Sequence, residues 1–153
     1  MIQRISCRGI IFKNGKIAIM HRIKEDRDYY TFPGGGLEDD ENKENCIVRE
    51  IVEELGINIK PIKQVYEYHN DSSIQYFYLC EWIDGDFGSG RGPEMINYLP
   101  HKGQYIPTLQ DISTINTINL MPPEITEKLL KDIEKFGLEL DSNLKIIEDT
   151  KNQ

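Results

Sequence analysis

The stretch that most limits how this chain can fold is "KENCIVREIVEEL", residues 43–55. At about 100° per residue, a helix here gathers Ile47, Val48, Ile51, Val52 and Leu55 into one sector, a stripe that needs a sheet or a second helix to cover it. Glu50, Glu53 and Glu54 fall on the other side, at the i, i+3 and i+4 spacing that makes neighbours of like charges. They also stand in the final turns, where the helix dipole disfavours anions. A helix selected only for stability would carry Lys or Arg there. One reading is a solvated acidic face. The other is that the carboxylates hold a divalent cation, since clustered hard oxygen ligands suit Mg²⁺ or Mn²⁺.

The segment upstream favours the second reading. "PGGG" at residues 33–36 is poorly suited to be a plain connector. Glycines allow close approach of the backbone to a ligand, and their carbonyls can stand beside carboxylates on a metal. Around this core the chain reads as alternating strands. Residues 4–22 look like a β-hairpin about an Asn-Gly turn. "YYTF" is a short strand. "INIKPIKQVYEYH" and "SIQYFYLCEWI" are two longer strands, with Pro61 at an edge or bulge. Most of their aromatics are expected to pack in the core. Residues 84–94, "DGDFGSGRGPE", read as a mobile glycine loop, a lid over the substrate. "IPTLQDISTINTINLMPPE" reads as irregular or short helical structure. A second helix follows from Pro123, with Ile125, Leu129, Ile133 and Phe136 as its apolar stripe and Gly137 at its end. A mixed α/β domain over residues 1–140, with a C-terminal tail at 141–153, is the expected organisation.

With 153 residues, 39% of them hydrophobic, the chain suits one domain with an ordinary core. No apolar run approaches a membrane span, and the N-terminus lacks a signal-peptide core, so a cytoplasmic protein is expected. Cys7, Cys46 and Cys80 are isolated and read as buried reduced thiols. The net charge of −8 disfavours a long phosphate backbone as partner. A small anionic substrate remains compatible, provided that metal ions or arginines supply local positive charge. Arg8, Arg22, Lys24 and Arg27 are the nearby cations, with Arg22 the first choice.

The spacing from the glycines to the helix carries a resemblance. Gly35, five residues, Glu41, seven residues, Arg49-Glu50-Ile51, one residue, Glu53-Glu54, one residue, Gly56-Ile57 resembles the full signature of the Nudix hydrolases. The family implies an α/β/α sandwich around a mixed β-sheet. It implies hydrolysis of a nucleoside diphosphate linked to another group, with Mg²⁺ or Mn²⁺ as cofactor. Carried over by position, Glu50, Glu53, Glu54 and the carbonyl of Gly34 would hold the metal. Glu53 or Glu50 would serve as general base, with Glu94 a candidate outside the motif. Glu41 and Arg49 would pair to fix the loop that begins at Gly35, Glu38 would sit near a second metal, and Gly56 would end the helix. The implied partner is a small nucleotide, with no nucleic acid and no membrane, and a homodimer is compatible with the sequence.

Substrate cues are thinner. No proline lies between Gln64 and Gly92, where ADP-ribose hydrolases of the family often carry one, and Tyr76 is a near miss to the tyrosine of dinucleoside polyphosphate hydrolases. A (deoxy)nucleoside triphosphate in nucleotide-pool housecleaning is the favoured expectation. ADP-ribose, a dinucleoside polyphosphate and a non-catalytic nucleotide sensor are the alternatives.

Overall fold

The computed structural model describes residues 3–96 and 102–149, without the side chains of Glu94 and Ile96. Nine strands and three helices follow one another in the described residues: β1 (Arg4–Lys13), β2 (Lys16–Lys24), β3 (Arg27–Thr31), β4 (Gly34–Gly36), α1 (Lys43–Leu55), β5 (Ile57–His69), β6 (Ser73–Gly85), α2 (Pro93–Ile96), β7 (Gln104–Asp111), β8 (Leu120–Met121), α3 (Pro123–Phe136) and β9 (Lys145–Glu148). The sheet runs β8-β3-β2-β1-β6-β5-β9, with β4 added to β1 and β7 to β2. It mixes parallel pairs (β1 with β6, β5 with β9) and antiparallel ones (β5 with β6, β2 with β7).

Side chains alternate across this sheet with the two-residue period of a strand. Cys7, Ile11, Ala18, Met20 and Tyr78 pack with Ile47, Ile51 and Leu55 of α1. Ile10, Ile17, Ile19, Phe77 and Leu79 pack on the other face with Ile125 and Leu129 of α3. The two clusters make the α/β/α sandwich. All three cysteines are buried free thiols.

The hairpin expected over residues 4–22 is only local. Asn14 and Gly15 have φ of 51° and 77°, as a two-residue hairpin turn requires. The ladder nevertheless stops after Phe12↔Ile17 and Lys13↔Lys16. Beyond that point β1 runs parallel to β6 from Arg4↔Ser73 to Ile11↔Cys80, while β2 pairs with β7. The strands diverge because each has a longer partner elsewhere. β7 and β8 likewise replace much of the irregular structure expected from 106 to 124, with a 3-10 turn at Ile112–Thr117 between them. Register shifts in β5 fall at Pro61/Lys63 and Gln64/Tyr66, so Pro61 does sit at a bulge.

Two features differ from the sequence reading, one in helix packing and one in the C-terminal segment. Val52 is 40% exposed, whereas Glu50 and Glu54 are only 8% and 7% exposed. The helix is rolled so that Ile47, Ile51 and Leu55 meet the sheet while Glu50 and Glu54 slide under β4. Val52 is left at the rim. Second, the segment read as a tail contains β9, which pairs in parallel with β5 from Tyr66↔Lys145 to His69↔Glu148.

Candidate active site

β4 is three glycines laid antiparallel on β1, in register Ser6↔Gly36, Cys7↔Gly35 and Arg8↔Gly34. Gly34 has φ of 143°, and a Cβ there would collide with the Cys7 carbonyl, so no other residue fits. At Gly35 a Cβ would run into the Glu50 carboxylate. The glycines therefore let a strand lie directly over the acidic face of α1.

The loop after β4 is closed by the N-cap of α1. Asn42 Oδ1 accepts from the Asn45 N–H at 2.8 Å. Arg49 then reaches back. Its Nε and Nη2 donate to the two Glu41 oxygens at 2.7 and 2.9 Å, and Nη2 also donates to the Gly36 carbonyl at 3.1 Å. The guanidinium holds the Glu41 carboxyl well below its usual range, at about 2. The same fork serves the helix. Nη1 lies 2.9 Å from Glu50 Oε1 and 3.3 Å from Glu53 Oε2. The hydrogen bond to Glu41 first, and then that to Glu50, raise the Arg49 pKa further. Glu54 is fixed differently: its Oε1 accepts from the Gly34 N–H at 2.7 Å.

Arg8 completes the frame from β1. Its Nη1 donates to the Gly34 carbonyl at 2.8 Å and its Nε to Gln75 Oε1 at 3.3 Å. Burial lowers the pKa of this guanidinium, with Glu54 and Glu50 acting the other way. It stays cationic, as arginine does in proteins.

The end of α1 shows how three acids survive in its last turns. Gly56 adopts φ of 76° and donates its N–H to the Val52 carbonyl. The glycine loop then folds beneath the helix. The Gly88 N–H donates to the Leu55 carbonyl at 2.9 Å and the Gly92 N–H to the Glu53 carbonyl at 2.8 Å. A Cβ on Gly90 would strike the carbonyls of Glu53 and Glu54. This loop, read above as a lid, is instead a backbone cap that answers the open carbonyls of the helix. The Glu94 side chain lies outside the described residues.

These parts border a cleft of about 180 Å³, lined by β4 and by Arg4, Arg8, Arg22, Glu50, Glu54 and Tyr105. Arg22 stacks on Tyr105, 3.6 Å from the ring centroid, and its Nη2 donates to the Lys102 carbonyl at 2.6 Å. Glu53, attached to Arg49, and Glu38, 3.6 Å from Arg49 Nη1 and largely exposed, do not line it. Arg8, named above behind Arg22, lines the cleft, and Arg4 is the functional candidate that sequence reasoning missed. Its signal is a cation four residues before Arg8, on the same face of a strand whose other positions are largely apolar. A second cleft of about 280 Å³ shares Arg8 and Thr31 with the first and adds Phe32, Tyr68, Gln75 and Met121 among its walls.

Among the described residues, no three His, Cys, Asp or Glu side chains stand together as a ready metal cage. Arg49 holds Glu50 and Glu53, while the Gly34 N–H holds Glu54. The donor set still fits a hard cation. Two buried carboxylates at i and i+4 face one cleft, and a Cβ at Gly35 would fill the space that Glu50 occupies.

Comparison with known proteins agrees with this geometry. The family model described as the NUDIX domain matches residues 3–106. An RNA pyrophosphohydrolase of Pasteurella multocida (strain Pm70) is 33% identical over 58 residues, 38% of this chain and 29% of that protein. A CTP pyrophosphohydrolase of Escherichia coli (strain K12) is 32% identical over 81 residues, 52% of this chain and 60% of that protein. The matches thus span less than two thirds of either relative. Among solved structures, a NUDIX hydrolase from Nitrosomonas europaea superposes with a TM-score of 0.74 at 20% identity, over 97% of this chain and 81% of that one.

Proposed function

The chain belongs to the Nudix family, and from that premise we propose that it hydrolyses a phosphoanhydride bond in a small nucleotide with the help of Mg²⁺ or Mn²⁺. The observation that carries this reading is one cleft where Arg4, Arg8 and Arg22 meet two buried carboxylates under a glycine strand. A diphosphate needs such cations, and clustered carboxylate oxygens are the donor set that suits a hard divalent cation. Glu50, Glu53, Glu54 and the Gly34 carbonyl would hold the metal, which when bound lowers the pKa of water and screens phosphate charge.

The chain's own residues supply the rest. Arg8 and Arg22 would bind phosphate oxygens as charge-assisted donors. Attack of water forms a new P–O bond at one phosphorus and breaks the bridging P–O bond. The water proton passes to a carboxylate, and Glu50 or Glu53 would take it. Glu50 lines the cleft, which favours it on position; both acids are hydrogen-bonded to Arg49. The Glu41–Arg49 pair would hold the loop against the helix so that these acids keep their place.

The second cleft would receive the organic part of the substrate against Phe32 and Tyr68. We read the substrate as a (deoxy)nucleoside triphosphate. The CTP hydrolase among the relatives supports a small nucleotide, and the acidic surface weighs against RNA. Three buried free thiols, and no helix among the described residues long and apolar enough to cross a membrane, fit a cytoplasmic setting.

The deciding experiment is release of phosphate or pyrophosphate from a nucleotide panel, with and without Mg²⁺. Metal-dependent turnover of a nucleoside triphosphate is expected. Tight binding of one nucleotide with no turnover on any would instead mark a sensor.

A further inference from the structure

Arg8 lines both clefts and stands where they meet. The parallel ladder sets Ser6 opposite Gln75 and Arg8 opposite Phe77. Strand side chains alternate with a period of two, so Gln75 rises from β6 on the face that Arg8 takes on β1. Two acceptors then fix the guanidinium. Its Nε donates to Gln75 Oε1 at 3.3 Å and its Nη1 to the Gly34 carbonyl at 2.8 Å. A guanidinium is a rigid fork, so two anchors settle where its remaining donors lie. Nη2 has no acceptor among the described residues.

A second pull acts on the same group. Burial works against the Arg8 charge, and Glu54 and then Glu50 work for it. Both acids line the first cleft, whereas Gln75 lines the second. The anchor on Nε therefore comes from outside the cleft that carries the acids. A hydrogen bond to a charged group is strong enough to oppose Coulomb attraction in a partly wet site. Gln75 is also neutral, so it holds the cation without cancelling the charge that a phosphate needs. An apolar side chain in its place would let the guanidinium settle on Glu54, where it would compete with a metal for the same oxygens.

We propose that Gln75 is a positioning residue for the reaction: it holds the Arg8 guanidinium back from Glu54 and Glu50, so that the acids keep their oxygens for the metal and Nη2 is presented to a phosphate oxygen. Gln75 acts through Arg8 alone. The proposal rests on the reading of the first cleft as the metal and phosphate site.

The test is a double-mutant cycle on the full chain: wild type, Gln75→Met, which keeps length and removes the acceptor, Arg8→Met, and the double variant. Calorimetry measures binding of Mn²⁺ without nucleotide and of inorganic pyrophosphate without metal. Gln75→Met is expected to weaken Mn²⁺ binding about 10-fold and pyrophosphate binding about 3- to 10-fold, the size of one hydrogen bond to a charged group. In the Arg8→Met background the same change should alter both by less than about twofold, because its effect runs through Arg8. Wild-type affinities in Gln75→Met, or an equal loss with and without Arg8, overturn the proposal. Should Arg8→Met not fold, Gln75→Glu decides. It keeps the acceptor, so Mn²⁺ affinity is expected to hold, and a loss as large as that of Gln75→Met overturns the proposal. A wild type that binds Mn²⁺ but turns over no nucleotide overturns the hydrolase reading alone, and the cycle still decides on Gln75. A wild type that binds no Mn²⁺ overturns both.

Discussion

Helices α1 and α3 cover opposite faces of the same sheet and treat buried charge in opposite ways. α3 obeys the dipole: Glu124 lies in its first turn and Lys135 in its last. It buries one carboxylate, Asp132, 2% exposed, and supplies it with the Tyr66 hydroxyl and the Lys145 ammonium. Burial alone would raise the Asp132 pKa, but those two hydrogen bonds outweigh it and hold the group below its usual range. α1 has no basic residue in its last turn, buries Glu50 and Glu54, and must share Arg49 among several acids. One helix is balanced by its own fold. The other sets its acids against Arg49 and the arginines that line the cleft.

The largest expected break in this comparison is in activity. Glu50→Gln should lower metal-dependent turnover by about 10²- to 10⁴-fold, the range for loss of a general base. Stability should hold or rise slightly, because a like charge leaves the end of a helix. Paired turnover and thermal unfolding measurements check both. Unchanged turnover in both Glu50→Gln and Glu53→Gln would sink the assignment of the base.

Asp132→Asn should do the reverse. It weakens the charged hydrogen bonds to Tyr66 and Lys145, while Lys145 keeps Asp141 at 3.3 Å, and the loss should be about 2 to 3 kcal/mol. Denaturant unfolding should show that loss at pH 7. The sign with pH follows from the depressed native pKa: the contribution is fully present above the unfolded value, about 3.9, and disappears as pH falls through the native one. A variant as stable as wild type at pH 7 would show that the cluster holds nothing.

Legibility from sequence divided along the same line as this comparison. α1 was readable in its span and its Gly56 exit because those rest on local chemistry, while its Asn42 cap emerged only from the structure. α3 was readable for the same reason, from Pro123 to Gly137. The mixed α/β sandwich followed from the strands and the motif. What could not be read depends on a distant neighbour. Val52 and Glu50 exchange burial because β4 approaches from one side. β1 and β2 part because β6 and β7 offer longer ladders. β9 is four residues that become a strand only beside β5. The glycine loop's role lies in backbone N–H groups, whose direction no residue type announces.

Glu41→Gln sharpens the comparison at similar size. Its carboxyl is held at about 2 by the Arg49 fork, against an ordinary value of 4.5. A shift of that order is worth about 2 to 3 kcal/mol at neutral pH. The gap between wild type and variant should therefore be full above pH 4.5 and close as pH falls to 2. Urea unfolding of both proteins across that interval reads it directly. A gap that does not vary with pH would mean that the loss is packing and not charge.

The smallest effect expected is at Gly90, and it tests the most unusual part of α1. α3 needs only Gly137 to finish, whereas α1 needs Gly56 and a second segment of chain. If the 85–92 loop is a cap, Gly90→Ala pushes backbone away from the carbonyls of Glu53 and Glu54. It should cost about 1 to 2 kcal/mol, the range for overpacking a close contact. The same change at Gly137, where a Cβ meets nothing within 4 Å, is limited to the strain of its φ of 75°. Turnover separates the two sites further. Gly90→Ala should lower kcat severalfold, since Glu53 and Glu54 belong to the turn that moves. Gly137→Ala should leave kcat unchanged. Equal kcat in both variants would return the loop to the status of a connector, and the acids at the end of α1 would then hold their positions through Arg49 and the Gly34 N–H.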